Sequence, residues 1–311
     1  MHSASEKHFE IIDCPICNSK EYLVLRKASY IENITRQDLL KIYKSSSDTI
    51  LIDQLVKCVE CDLVYINPQI NSEVILEAYT EATDPKFVTQ NPLRIRTFRK
   101  FFELWTKRSK VIPSKRKKVL DIGCAAGAFP KAAHEMGFHV VGVELSKYLC
   151  EFGRREYNLD LRQGPLNIHS FLEKEFHIIS MFDVIEHLVQ PGIVLDEIKR
   201  ILHPDGHLIV NYPEYDSWPR KLLGFKWPFF LSVHLFYFTP NSIRKILDKH
   251  GFKVIRIEPY YQTLELGYIL ERASKIFSLF KCVEKAVKAL GLGGLPLKYY
   301  IGQSLVTACK K

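Results

Sequence analysis

The chain has 311 residues, 47% of them apolar and 25% charged, and this ordinary globular mixture excludes a disordered, collagenous or purely coiled-coil protein. Its 44 Lys and Arg against 35 Asp and Glu give +9, a balance that suits an acidic partner without choosing between nucleotide-sugar, RNA and an anionic membrane surface. The opening MHSASEKHFEIIDCP has no apolar core and does not read as a secretory signal, and the longest charge-free stretch, between Lys226 and Arg244, is too short and too polar to span a bilayer. A cytoplasmic protein is expected.

Two C-x2-C pairs open the chain, Cys14–Cys17 and Cys58–Cys61. Two residues between thiolates let both sulfurs wrap one tetrahedral ion, and a second such pair completes a four-sulfur structural Zn2+ site. Asn18 and Asp62 follow the second cysteine of each pair, where the knuckle favours positive φ and these residue types tolerate it best after glycine. Four protein ligands leave no position for a substrate. The expectation is a small zinc ribbon over residues 1–70.

Residues 94–118 carry eleven basic residues and one acid, a local +10 that exceeds the charge of the whole chain. Within this segment Phe98, Phe101, Phe102 and Trp105 recur at helical spacing, so a helix buries an aromatic stripe and turns Arg and Lys outward. Residues 71–117 thus read as basic linker or lid helices, either with a solvated face or covering an anionic substrate.

Beyond Lys118 strands and helices alternate. Strands are expected at Lys118–Ile122, His139–Glu144, Leu159–Gln163, His177–Asp183 and His207–Asn211. Helices are expected at Phe129–Met136, Lys147–Tyr157 and Pro191–Leu202. Such alternation implies a parallel sheet covered on both faces. A further helix, Pro240–His250, stops at Gly251 before a strand, Lys253–Glu258. Apolar residues at Ile269, Ala273, Ile276, Phe280, Val283, Val287 and Leu290 predict one amphipathic helix over 266–291, halted by the glycines at 291, 293 and 294, with Tyr299–Ala308 as a closing strand. Its seam packs on the sheet or a second subunit, or, with lysines opposite, meets a membrane surface.

The first strand of this region ends in Asp121-Ile-Gly123-Cys124-Ala-Ala-Gly127, and the second ends in Glu144, 23 residues after Asp121. Gly123 permits a tight turn and close backbone approach, Gly127 close packing of strand and helix, and an acid at the second strand end binds two ribose hydroxyls. Ala125 stands where a pyrophosphate loop needs its middle glycine, and Asp121 would repel a pyrophosphate while suiting the cationic methionine end of S-adenosylmethionine. A dinucleotide is disfavoured.

Asp121–Gly127 resembles motif I of the class I S-adenosylmethionine-dependent methyltransferases. Val141–Ser146 is similar to their ribose-binding strand end, Phe182-Asp-Val-Ile-Glu-His187 to the D-x-x-E-H stretch after strand four, and Leu202–Gly206 to the turn before strand five. Gly224-Phe-Lys-Trp227 with His234-Leu-Phe-Tyr-Phe-Thr-Pro240 resembles a segment of one subgroup whose N-terminal zinc ribbon is matched by Cys58–Pro68.

The resemblance implies an α/β fold: a doubly wound Rossmann-like sheet of five parallel strands plus a C-terminal antiparallel pair, over residues 118–311, with an insertion at 212–240. It further implies a methyltransferase enzyme acting on a sugar, nucleotide-sugar or lipid-linked glycan intermediate, at carbon or oxygen. Cofactor contacts would come from Asp121, Gly123, Cys124, Gly127, Glu144, Leu145, Gly164, Leu166, Phe182 and Asp183, the contacts after strand three being apolar or backbone because Pro165 replaces a polar residue. His187 is the expected base, with Glu186 orienting it or acting beside it, and His234 is a further catalytic candidate. Tyr212 and Trp227 would wall the substrate, while Arg220 and Lys226 would bind a diphosphate.

Two rivals stand beside this reading. The ribbon and the basic segment suit an RNA methyltransferase, although the helix's aromatic residues face inward where base stacking needs them outward. The other rival is a non-catalytic module that binds S-adenosylmethionine. An anionic or lipid-linked acceptor, a homodimer, and a peripheral place at the inner membrane face through the tail helix complete the expectations.

Overall fold

A computed structural model describes residues 8–29, 34–44, 49–81, 83, 85–166 and 170–311. The first seven residues of the stretch read as lacking a signal, and the opening of the 1–70 segment, lie outside the described residues.

The body is a seven-stranded sheet. Its strands are β1 (Lys118–Ile122), β2 (His139–Glu144), β3 (Asp160–Gln163), β4 (Phe176–Phe182), β5 (Leu202–Pro213), β6 (Phe252–Pro259) and β7 (Gln303–Lys310), in the spatial order β6-β7-β5-β4-β1-β2-β3. β1 to β5 run parallel, and β7 enters antiparallel between β5 and β6. This is the expected Rossmann-like sheet with its C-terminal antiparallel pair. The central strands are apolar on both faces, as sheets covered twice must be: Val119, Leu120, Ile178, Ile179, Leu208, Ile209 and Val210 are all fully buried.

Helices α1 (Asn91–Arg108), α2 (Ala128–Glu135), α3 (Lys147–Tyr157), α4 (Pro191–Ile201) and α5 (Pro240–Lys249) cover the sheet, the last four within two residues of their expected bounds. The aromatic stripe of α1 packs inward as its spacing requires. Phe102 stacks on Trp105, and the Trp105 indole donates to Thr307 Oγ1 of β7 at 2.9 Å. The basic face is partly neutralised, Arg99 by Glu103 and Glu135, and Arg108 by Glu258.

The N-terminal region forms an antiparallel sheet of Tyr22–Arg26, Leu55–Cys58 and Val64–Ile66, and its fourth strand is Phe236–Tyr237, from the insertion. The ribbon therefore shares its sheet with the large domain. Apolar residues of both meet in one core that runs from Leu55 and Tyr65 to Phe238 and Met181.

The tail departs from expectation. Two helices, α6 (Leu266–Ile276) and α7 (Leu279–Ala289), replace a single one, because Phe277 leaves helical geometry at φ −125°, ψ 111°. An unbroken seam would need one straight surface to pack on, whereas the chain folds α7 back against α6. Ile269 and Ile276 are half-buried, while Leu279, Val283 and Leu290 face solvent. Tyr299 belongs not to the closing strand but to a hairpin pairing of Gln262–Glu265 with Pro296–Tyr299, separated from β7 by Gly302. Among the described residues no helix is long and apolar enough to cross a membrane.

Candidate active site

The loop after β1 makes the strongest local demands. Gly123 sits at φ +68°, and a Cβ there would lie 2.4 Å from Val184 Cγ2, so only glycine fits. Ala125 takes φ +46°, the left-handed region, and its N–H donates 2.8 Å to Glu144 Oε2. Glu144 Oε1 accepts from Ser146 N, also at 2.8 Å. The carboxylate at the end of β2 thus holds the loop and the start of α3 together. Asn91 of α1 donates from its amide to the Ala126 carbonyl at 3.1 Å, tying the loop from the opposite side.

A cavity of about 550 Å³ lies over this edge of the sheet. Its lining includes Gly123, Glu144, Leu145, Gly164, Leu166, Phe182, Asp183, Tyr79 and His187. Its position outside the carboxyl ends of parallel strands is where open α/β sheets take ligands. A smaller cavity of about 120 Å³ adjoins it, lined by Asp121, Gly123, Cys124, Asp183, Arg94 and Tyr260 among others. Gly127 lines neither cavity. Its φ of +79° begins α2, and Leu159 and Leu161 pack against its Cα, so it serves helix–strand packing.

Burial dominates the electrostatics here. The Asp121 carboxyl is pushed up to about 8 by desolvation, against the lowering effect of the Ser180 hydroxyl that donates to it at 2.7 Å. Burial also raises Glu144, opposed by the N–H groups of Ser146 and Ala125. Asp183 opens onto both cavities, and desolvation by their walls raises it to about 6, opposed by Arg94 and by the Gln303 amide that donates to it.

These groups fit S-adenosylmethionine. Glu144 retains lone pairs for the two ribose hydroxyls, the wall at Leu145 and Leu166 suits adenine, and Asp121 stands where a cationic methionine end needs an anion.

Glu186, His187 and His234 converge, His187 alone of the three lining the cavity, with one ligand atom of each within 4.8 Å of the others. His187 and His234 stand edge to face at 4.7 Å between ring centroids. His187 Nδ1 lies 2.8 Å from the Val233 carbonyl and 2.7 Å from the Tyr79 hydroxyl. Next to a carbonyl this nitrogen must carry the proton, which leaves Nε2 as the lone pair. The same holds for His234, whose Nδ1 donates 2.8 Å to the Phe229 carbonyl. Burial lowers His187 to about 4 and His234 well below its usual value, so both are neutral at pH 7. Of the two roles expected of Glu186, orienting His187 or acting beside it, the first falls to the Val233 carbonyl, and Glu186 stands beside the ring. The Glu186 carboxyl is buried, pushed far up by that burial and by Asp183, and neither oxygen has a hydrogen-bond partner among the described residues.

The four cysteines also converge: Cys14 Sγ lies 3.4 Å from Cys61 Sγ, and Cys17 Sγ lies 3.4 Å from Cys58 Sγ. Asn18 at φ +60° and Asp62 at φ +64° turn both knuckles as their positions require. Tetrahedral thiolates about 2.3 Å from one ion stand about 3.7 Å apart, so the set fits zinc.

The expected acceptor residues lie elsewhere. Tyr212 is fully buried in β5, and the Trp227 indole donates 2.7 Å to the Ile301 carbonyl, a core contact. The Arg220 guanidinium lies 3.7 Å over the Tyr215 ring, and Lys226 is exposed beside Phe277. None of the four lines either cavity. Conversely, Tyr79 and Arg94 do, and neither could be singled out beforehand. Tyr79 sits on a short helix, Ser72–Thr80, that carries no motif, and Arg94 is one of eleven basic residues until folding lays it 3.7 Å over the Phe87 ring.

Residues 90–257 match the family described as a methyltransferase domain. The ubiquinone biosynthesis O-methyltransferase of Histophilus somni (strain 2336) is 26% identical over 120 residues, 35% of this chain and 50% of that protein. The enzyme of the same name from Coxiella burnetii (strain RSA 331 / Henzerling II) is 26% identical over 174 residues, 52% of this chain and 74% of that one. The chain thus spans about half the length of the first of these relatives. A solved SAM-dependent methyltransferase from Archaeoglobus fulgidus aligns with a TM-score of 0.48 at 17% identity, covering 73% of this chain and 100% of that one.

Proposed function

The chain belongs to the methyltransferase-domain family, and from that premise we propose that it transfers a methyl group from S-adenosylmethionine to a sugar-containing acceptor, with the four-cysteine ribbon holding a structural Zn2+. The observation that carries this reading is one cavity lined both by a carboxylate suited to ribose, Glu144, and by a neutral histidine, His187. Bound S-adenosylmethionine supplies an electrophilic methyl on a sulfonium. Methyl transfer gains most from positioning, and a base is needed where the acceptor atom holds its proton at neutral pH.

The residues divide that work. Glu144 and the glycine loop hold the adenosine, and Asp121 faces the cationic end. Arg94 stands in the smaller cavity with Asp121 and Asp183, where its charge offsets that of Asp183. The Val233 carbonyl fixes the His187 tautomer, so that Nε2 accepts the acceptor's proton, and Tyr79 braces the ring. Ile75, Leu76, Leu188, Val189 and Val194 exclude water from the larger cavity. The same apolar lining favours a lipid-linked glycan over a free nucleotide-sugar, whose diphosphate would meet no Lys or Arg in the lining of this cavity among the described residues.

A second reading, O-methylation of a hydroxylated apolar ring, is favoured by that lining together with the names of the relatives. The RNA reading loses support, since the aromatic residues of α1 pack inward, Phe102 and Trp105 buried and Phe98 and Phe101 half-buried against the core, and its arginines are partly paired.

The test is transfer of labelled methyl to lipid-linked glycans, nucleotide-sugars, hydroxylated quinone precursors and total RNA. His187→Asn should lower kcat at least about 100-fold while the Kd for S-adenosylmethionine stays within about threefold, as expected for loss of a general base. Labelled RNA with unlabelled glycans would overturn the acceptor assignment, and unchanged kcat in His187→Asn the role of the base.

A further inference from the structure

Behind His187, which lines the cavity, two further buried polar side chains meet it. Glu186 is 1% exposed and His234 5%, and the carboxyl of Glu186 finds no donor among the described residues. Both imidazoles turn their Nδ1–H outward onto main-chain carbonyls, of Val233 and Phe229. Each imidazole thus keeps its Nε2 lone pair, and the three side chains bring one ligand atom each within 4.8 Å of one another; the one proton among them is that of the Glu186 carboxyl itself, which a cation displaces. Burying a carboxyl without a partner is expensive, about 1–3 kcal/mol when neutral and more when charged. Buried electron-pair donors of this kind are retained where something electropositive joins them.

We propose that Glu186, His187 and His234 form a binding site for a divalent transition-metal cation, a second metal site distinct from the cysteine ribbon. Two imidazoles coordinated to one ion at about 2.1 Å have ring centroids about 4.5–5.3 Å apart for angles between a right angle and a tetrahedral one. The observed separation is 4.7 Å, with the rings at 78° to each other. At those angles ligand atoms on one ion lie about 3.0–3.4 Å apart, so the three, all within 4.8 Å of one another, would draw in by rotation of their side chains as the ion binds. The hydrogen bonds of both Nδ1 groups to carbonyls are the outer contacts that orient metal-binding histidines. Two imidazoles and one carboxylate suit Zn2+, Fe2+ or Co2+ rather than Mg2+, which prefers oxygen alone.

The ligands come from two places in the chain. Glu186 and His187 follow β4, while His234 belongs to the insertion that also donates a strand to the ribbon sheet. The ion would thus pin the insertion to the cofactor-binding sheet at the wall of the acceptor cavity. This inference rests on the transferase reading and deepens it: with the ion present, His187 serves as its ligand, and the cation rather than the free imidazole polarises the acceptor oxygen.

The probe is Co2+, added to the full chain with zinc already in the ribbon. The expected result is one Co2+ per chain, with visible d–d bands and no near-ultraviolet thiolate band, and at least about 30-fold weaker binding in both Glu186→Gln and His234→Gln. Glu186→Gln is isosteric, and near-ultraviolet circular dichroism verifies its fold. In a Co2+-soaked crystal, anomalous scattering should place the ion between the three side chains. No bound Co2+, Co2+ carrying a thiolate band only, or equal affinity in both variants would overturn the site. Co2+ binding without methyl transfer would overturn the transferase reading alone, and methyl transfer by a chain that binds no Co2+ would overturn the metal site alone.

Discussion

Glu144→Gln isolates the carboxylate on which both the loop and the cofactor depend. In the folded chain its two oxygens accept from Ala125 N and Ser146 N, each at 2.8 Å. A carboxamide is nearly the same size but has one acceptor atom. Whichever N–H keeps the oxygen, the other faces an NH2 group. The change replaces a hydrogen bond to a charged group, worth about 1.5–3 kcal/mol, with a buried unpaired donor that costs about 1–3 kcal/mol. Repacking recovers part of this, so a stability loss of about 2–4 kcal/mol is expected. For the cofactor, losing a charged acceptor to a ribose hydroxyl at about 1.5–3 kcal/mol means a Kd raised roughly 10- to 150-fold. The assay is calorimetric titration with S-adenosylmethionine on protein whose near-ultraviolet circular dichroism matches the parent. Glu151→Gln, which removes only an exposed partner of Lys147, serves as the control and should change neither quantity. A folded Glu144→Gln protein that binds within about threefold of the parent would refute the assignment of this edge of the sheet as the ribose site.

Asp121 links binding to pH. Its carboxyl, raised to about 8 by burial, is largely protonated at pH 7, and a cationic ligand favours the ionised form. Binding S-adenosylmethionine at pH 7 should therefore take up the ionised form with release of nearly one proton, and much less at pH 9, seen as a buffer-dependent heat that Asp121→Asn abolishes. Because the folded value lies above the usual 3.8, the ligand-free protein should also lose stability as pH climbs from about 4 through about 8, and a flat profile would contradict this burial. Gly123→Ala should cost at least about 1–2 kcal/mol from the left-handed backbone alone, plus the overlap with Val184. Adding Val184→Ala should relieve only the overlap; full recovery by the pair would show that the loop's backbone is not constrained. Cys61→Ser, or a chelator, should remove one zinc and lower the melting temperature of the whole chain, since ribbon and body share a core. Metal analysis finding no zinc in the reduced parent would refute the ribbon.

Much of this protein is determined within short reaches of its sequence. The alternation of strands and helices from Lys118 to Glu258 is written in local periodicity and glycine stops, and the elements form within a few residues of those marks. The two knuckles are equally local: a C-x2-C turn needs a positive φ at its end, and Asn18 and Asp62 supply it. The cofactor edge is readable for the same reason, because its loop and acid lie on adjacent parallel strands.

What tertiary structure decided involves partners far apart in the chain. Tyr79 reaches His187 across 108 residues, and His187 meets the Val233 carbonyl across 46, contacts that no periodicity encodes. The seam of the tail helix reads as continuous because hydrophobic spacing records which residues are apolar, not where the chain bends, and the break at Phe277 lets α7 fold back on α6. Tyr212 and Trp227, expected at and beyond the end of the fifth strand, suggest a pocket wall, yet β5 extends through Tyr212, large aromatic residues gain most from full burial, and both are core. Local sequence states which elements form and which end of the sheet holds the cofactor; only the packing of distant segments brings Glu186, His187 and His234 to one point.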